Sequence, residues 1–372
     1  MKRGQNRRIK INVTNISSIE YVLDSGEDLG TVDEIQSITP LEVKFQKFDE
    51  PQNAQVAELT KLETGEDPMQ SFRTIEEDDI DDNNKALYKS IKEMEFPELT
   101  AEQKNAMRDM LWHEKKAFSC FPDDIGSAQE LKLDIHTTDE VPVQRNYNSI
   151  PKPLLNDVKQ HIQGMLDRKW IQKSQSAWSS PVVLARKKNG SFRLCCDFRL
   201  LNKKTIPDKH PIPRIQEALD SLQGSKFFSV LDLSRAYHQG YMSESARKKT
   251  AFVTPWGFYE WVRIPFGLSN AVPTFQRFME ETLEDYRDDF ALPYLDDTIV
   301  FSKTAEEHIH HIRDILKKFQ QKGLKLNITK CHMFKKEVGY LGRVVSREGY
   351  RMDENNVKAV TELSRRKFQT IG

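Results

Sequence analysis

Apolar residues return at helical spacing in four stretches of the chain. In "LTAEQKNAMRDMLWHEKKAFSC" Thr100 stands where an N-cap is needed, and Gln103, three residues on, completes a capping box before the apolar positions begin. "LLNDVKQHIQGMLDRKWI" predicts an amphipathic helix on Val158, Ile162, Met165 and Leu166. "AVPTFQRFMEETLEDY" and "EEHIHHIRDILKKFQQKG" predict two more, the last stopped by Gly323. Between them lie short runs rich in apolar and β-branched residues. "SPVVLARKKNGSFRLCCDF" predicts a hairpin around "KNG", and "GYLGRVVSREGYRMD" another around "REG". "FFSVLDL" predicts a strand running into a loop and helix. Strands and helices alternate without a strict βαβ rhythm, so an α+β fold on a mostly antiparallel sheet backed by helices is expected.

Three compositional parts follow. Residues 1–45 carry short strand-like runs broken at Gly26 and Gly30, a β-rich spacer. Residues 46–98 lose apolar periodicity and gain acid, with "TIEEDDIDDNNK" as the extreme, and are expected to be a disordered acidic linker. Residues 99–372 hold the folded region. The chain shows no internal repeat.

Composition narrows the picture a little further. The 372 residues carry 56 Lys+Arg against 56 Asp+Glu, and the zero formal charge leaves local basic patches open. The four cysteines have no metal-ligand spacing and are expected to be reduced, intracellular thiols. "MKRGQNRRIK" runs into "INVTNISS" rather than an apolar signal core, and no window approaches a membrane span. An intracellular protein that is neither secreted nor membrane-bound is expected, in a cytoplasmic particle or the nucleus.

The chemistry begins in "FALPYLDDTIVFS", where Asp296 and Asp297 interrupt an apolar, β-branched run. A buried Asp is rare unless paired or bound to metal. Two unit charges about 4 Å apart repel by roughly 4 kcal/mol at an effective dielectric near 20. A third carboxylate, Asp232, ends the apolar strand "FFSVLDL". Three such carboxylates suit a pair of Mg²⁺ ions roughly 3.5–4 Å apart, which stabilise the attacking and leaving oxygens of a phosphoryl displacement. The basic hairpin between Arg186 and Arg193 offers cations for a triphosphate, although lysines on an edge hairpin also serve simply to block edge pairing.

Together with "HPIPRI", "KTAFVTPWGFYEW", "IPFGLSNAVPTFQRFME", "HIHHIRDIL", "LKLNITKC" and "GYLGRVVSREGYRMDENNVKAV", these motifs resemble the reverse transcriptase region of the Pol polyprotein of gypsy-type LTR retrotransposons. The resemblance covers about residues 99–360, and it implies right-hand polymerase fingers and palm. It implies an RNA-directed DNA polymerase core, a nucleotidyltransferase joining deoxynucleotides to a primer 3′-hydroxyl on an RNA or DNA template, in an element whose wider context is DNA integration. Asp232, Asp296 and Asp297 would be the catalytic, metal-binding carboxylates, with the Leu233 carbonyl as a further contact. The cofactor would be two Mg²⁺ ions, with Mn²⁺ as substitute. Lys187 and Arg193 would hold the triphosphate, Tyr237 would reject a ribose 2′-hydroxyl, and Phe266 and Gly267 would line the nucleotide pocket. Tyr294 would touch the primer end, and Gly339 to Gly342 would form the primer-grip turn. Template–primer, deoxynucleotides and other Pol or Gag products are the implied partners.

Some features depart from the family or point elsewhere. Ala236 stands where the family often has Gly, and "NAVPTFQ" replaces the usual "NAPATFQ". The chain ends at "ELSRRKFQTIG", where the family's thumb would start, so a truncation before the thumb, RNase H and integrase is expected. A catalytically incomplete Pol fragment that only binds nucleic acid or partner proteins is therefore the alternative reading. "LDSG" at Leu23 to Gly26 resembles an aspartic protease motif but lacks its framework, and a spacer turn is expected. His308, His310 and His311 could suggest zinc; a solvated helix face is expected.

Overall fold

The computed structural model describes residues 80–186 and 192–353. The predicted spacer, most of the acidic linker, the "LDSG" turn, Lys187 and residues 354–372 lie outside the described residues. The folded region begins before residue 99. Helix α1 (Lys85–Glu93) buries Leu87 and Ile91, and Phe96 follows them into the core. The acidic stretch therefore stops short of its expected end, because one i, i+4 apolar pair suffices once another helix covers it.

That neighbour is α2 (Ala101–His113), whose expected capping box is present: Gln103 N–H donates to Thr100 Oγ1, and Thr100 N–H to Gln103 Oε1. Its buried face carries Met107, Met110, Leu111 and Trp112. Helix α3 (Leu155–Asp167) buries Val158, Ile162 and Met165, as its period predicts, and leaves Leu166 half-buried. The short helices α4 (Arg199–Lys204), α5 (Ile215–Asp220) and α6 (Glu244–Arg247) punctuate the strands.

The sheet that positions the site has the order β11 (His332–Lys335), β5 (Phe227–Asp232), β10 (Asp297–Ser302), β9 (Ala291–Tyr294), with every pairing antiparallel. Both faces are covered, which explains why its strands are near-continuous apolar runs rather than alternating ones. On one face Leu231, Ala291 and Val300 join the main core with α7 (Ala271–Thr282) and α8 (Ala305–Gln321), including Phe275, Ile312, Leu316 and Phe319. Side chains of this size stabilise the fold by about 1.5–3 kcal/mol each when fully buried. On the other face Phe228, Val230, Leu292, Ile299 and Phe301 form a second core. Its lid is a three-stranded sheet of β12 (Glu337–Tyr340), β13 (Arg343–Ser346) and β14 (Gly349–Met352). The β12–β13 turn has φ +50° at Leu341 and +72° at Gly342, a two-residue hairpin turn of the kind that follows strand twist.

A five-stranded sheet carries the basic hairpin, in the order β2 (Ile171–Lys173), β8 (Gly257–Trp261), β7 (Phe252–Thr254), β3 (Ser180–Arg186), β4 (Phe192–Cys196). The pairs β3–β7 and β1 (Lys132–Leu133) with β6 (Tyr241–Met242) are parallel. All other strand pairs among the described residues are antiparallel, in line with the α+β expectation.

The histidine-rich helix corrects one expectation. His308 is fully buried, with Nε2 2.8 Å from Ser229 Oγ and Nδ1 2.8 Å from Ser302 Oγ. Ser302 Oγ also lies 2.7 Å from His311 Nδ1, and the His311 ring stacks on Phe290 at 3.7 Å. Burial pulls His308 down to about 3, so the ring is neutral and acts as a spacer tying α8 to β5 and β10. Neither a solvated face nor a zinc site describes it.

Candidate active site

Asp232 and Asp297 are Cα partners across the β5–β10 pairing, so their Cα atoms stand about 4.5–5.5 Å apart. Period-two alternation puts both on the face that holds Phe228, Val230, Ile299 and Phe301. Asp296 sits beside them in the two-residue turn Leu295–Asp296 that joins β9 to β10. Its carbonyl accepts the Leu233 N–H at 3.4 Å, which ties the turn to the end of β5.

The turn is strained, because Leu295 has φ +54° and a branched side chain resists that region. Buried Gln276 on α7 offsets the strain. Its Oε1 accepts the Leu295 N–H at 2.7 Å and its Nε2 donates to the Pro293 carbonyl at 3.1 Å. Gln276→Leu would leave that N–H and carbonyl unpaired, and an expected loss of about 2 kcal/mol should appear in urea unfolding. Unchanged stability would mean that the turn holds its shape without Gln276.

The electrostatics are those of a site short of positive charge. Burial raises the Asp232 carboxyl above its ordinary value, and Lys330, whose Nζ lies 3.3 Å from both carboxylate oxygens, opposes the rise. Burial also raises Asp296, with Asp232 adding to it. Asp297 is pushed up to about 6 by burial, then by Asp296 and Asp232. Cys331 lies under the cluster and takes the Asp232 N–H on its sulfur at 3.4 Å; burial pushes this thiol up to about 12 and leaves it inert.

Among the described residues no three His, Cys, Asp or Glu side chains stand ready around one metal position. A Mg²⁺ ion needs only one or two carboxylates and fills its other positions with water and phosphate. Three crowded carboxylates whose charge burial disfavours fit that donor set. The Leu233 carbonyl is also available, since the neighbouring bridge to Leu326 uses the Asp232 carbonyl and the Ser234 N–H instead.

The remaining predicted residues form a chain of contacts leading away from the carboxylates. Tyr237 stands close enough to Asp296 to feel its charge. Its ring packs on Phe275 at 5.3 Å and edge-on to Phe266 at 5.6 Å. Phe266 is 42% exposed, and the Arg193 guanidinium lies 5.9 Å from its ring centre. Gly267 has φ +93°, and its carbonyl accepts from Asn202 Nδ2 at 2.8 Å. Tyr294 is the Cα partner of Asp297 on β9. Lys187 lies outside the described residues.

Two further supports have no signature along the chain. His238 sits in a cage of Trp170, Trp261 and Phe266 and holds the Ile264 carbonyl at 2.8 Å through Nδ1. Gln239 is fully buried and clasps the loop after Asp232, donating to the Ser234 and Lys325 carbonyls and accepting the Lys325 N–H. Only the polar letters of "AYHQ" could have hinted at either.

Residues 185–345 match the family model described as reverse transcriptase (RNA-dependent DNA polymerase). The chain is 36% identical over 265 residues to the Pol polyprotein of the transposon gypsy from Drosophila melanogaster, a match covering 70% of this chain and 26% of that protein. It is 31% identical over 235 residues to the Tf2-3 polyprotein of Schizosaccharomyces pombe, covering 62% and 18%. The chain thus spans about a quarter or less of these relatives. In fold it is similar to the foamy viral protease-reverse transcriptase solved with an RNA/DNA hybrid, at TM-score 0.65 and 20% identity, over 72% of this chain and 36% of that one. The same foamy viral protein solved with dsDNA aligns at TM-score 0.63. The carboxylate geometry, the family match and the extent of the gypsy similarity agree: the chain carries a reverse transcriptase region of the LTR-retrotransposon kind.

Proposed function

We propose that this chain is an RNA-directed DNA polymerase core that extends a primer 3′-hydroxyl with deoxynucleotides on an RNA or DNA template. The observation that carries the reading is the pairing of Asp232 with Asp297 across β5–β10, with Asp296 in the adjoining turn. Reverse transcriptases generally use divalent metal ions; here we infer two Mg²⁺, replaceable by Mn²⁺, which when bound would neutralise phosphate charge and make the primer hydroxyl more acidic. Asp232 and Asp297 would hold them, with Asp296 and the Leu233 carbonyl alongside.

The chain's own residues do the positioning. Arg193, on β4, would meet the triphosphate from the basic hairpin, with Lys187, outside the described residues, as the second cation that the family resemblance implies. Phe266 offers an exposed aromatic ring to the nucleotide, and Tyr237 packs against that ring within reach of the Asp296 charge. The β12–β13 turn would bear on the primer strand. Contacts of this kind reach mainly sugar and phosphate, so template–primer binding should weaken steeply with salt and vary little with sequence. Other Pol or Gag products are candidate partners, in an intracellular particle or the nucleus.

Primer extension on an RNA template with Mg²⁺ or Mn²⁺ tests this, comparing the parent with Asp296→Asn, Asp297→Asn. Extension by the parent alone is the expected result. Salt-sensitive binding without extension by either would instead favour a binding fragment.

A further inference from the structure

The lid over the second core holds an unexplained polar atom. Tyr340, the last residue of β12, is 3% exposed, and its hydroxyl has no hydrogen-bond partner among the described residues. A buried hydroxyl left unpaired is costly, and such groups are rare in a settled fold. The ring itself is well placed, packed in the core with Phe228, Val230, Leu292 and Ile299, and β12 lies against β5. The phenol's position within that core matters more.

The same sheet face carries Asp232 and Asp297 at its end. Tyr340 is close enough to Asp297 and Tyr294 for both to act on it electrostatically. A phenol is a hydrogen-bond donor at neutral pH. Tyr294, on β9, is the Cα partner of Asp297. A buried donor with no acceptor among the described residues therefore lies over the same sheet face as the Asp297 carboxylate.

We propose that Tyr340 is a positioning residue for metal loading, its buried hydroxyl being the donor that fixes the Asp297 carboxylate when a divalent cation occupies the site. The inference rests on the metal-dependent function proposed above. Carboxylates that ligate metals are commonly held by a hydrogen bond from behind, and losing that partner typically costs about 10–100-fold in metal affinity. It also ties the β12–β13 turn to the metal site, since that turn begins at Tyr340.

Tyr340→Phe separates this role from simple packing, because it keeps the ring and removes only the oxygen. Mn²⁺ binding to the full chain, followed by the loss of the free-ion paramagnetic resonance signal, is measured for the parent, Tyr340→Phe and Asp297→Asn, with melting of each metal-free protein alongside. The expected result is Mn²⁺ affinity lowered about 10-fold in Tyr340→Phe, while its metal-free Tm stays level or rises by about 2–4 °C. Parent-like Mn²⁺ affinity in Tyr340→Phe, with Asp297→Asn weakened, would overturn the role of Tyr340 and leave the site reading standing. Equal Mn²⁺ affinity in the parent and Asp297→Asn would overturn both. A Tm loss with unchanged affinity would make the hydroxyl purely structural.

Discussion

Asp297→Asn is expected to make the metal-free protein more stable at pH 7 while reducing primer extension by at least about 1000-fold. The two effects share one cause. Asp297 is buried beside Asp296 and Asp232, and its carboxyl sits at about 6 instead of its ordinary 3.8. A folded-state value above the unfolded one means that the stabilising contribution is fully present below about pH 3.8. It is lost as pH rises through 6. At pH 7 the ionised group thus burdens the fold by about 3 kcal/mol, since each tenfold change in proton affinity is worth about 1.4 kcal/mol. Asn keeps the shape and removes the charge, so the parent-minus-variant stability difference should flatten below pH 4 and widen toward pH 7. Differencing matters because buried His308, held at about 3, pulls the other way in acid. The same substitution deletes a carboxylate proposed to hold metal, and several kcal/mol of transition-state stabilisation is a loss of about 10³ or more. Chemical unfolding at pH 4, 5.5 and 7, with extension assays alongside, measures both. A variant less stable than the parent at pH 7 would show that Lys330 and water already neutralise the cluster.

Much of this site was legible because its elements are local. An apolar run ending at Asp232, another broken at Asp296–Asp297, and a basic hairpin are each short patterns, and the strand register that joins Asp232 to Asp297 follows once both runs are strands. What escaped depends on contacts distant in sequence. His308 looked like a surface residue, since nothing in "EEHIHHIRDIL" shows that Ser229 and Ser302 wait for its nitrogens. Gln276 reads as one more polar position on α7 until the Leu295 N–H is found against it. Helix α1 was hidden by the acidic residues before it, because its stability comes from packing rather than propensity. Tyr340 carried a family expectation for its turn, but that its hydroxyl lacks a partner among the described residues is visible only in three dimensions.

Tyr237→Val should relax sugar discrimination, raising ribonucleotide over deoxynucleotide incorporation by up to about 100-fold on an RNA template. Tyr237 is 8% exposed, so only an edge of its ring can meet a substrate. The ring is held by packing on Phe266 and Phe275, within reach of the Asp296 charge. Exclusion of an extra hydroxyl by a fixed wall is worth about 1–3 kcal/mol, and up to about 100-fold is the corresponding ratio. Val leaves a smaller cavity than Ala, which limits the stability loss that truncating a buried aromatic brings. Tyr237→Phe supplies the control, since it keeps the ring and should keep the discrimination. The readout is the ratio of kcat/KM for each ribonucleotide to that of its deoxy partner, which a general loss of activity does not move. An unchanged ratio in Tyr237→Val would reduce Tyr237 to a core residue. It would also shift the search for the gate to Phe266, the neighbouring ring that is 42% exposed.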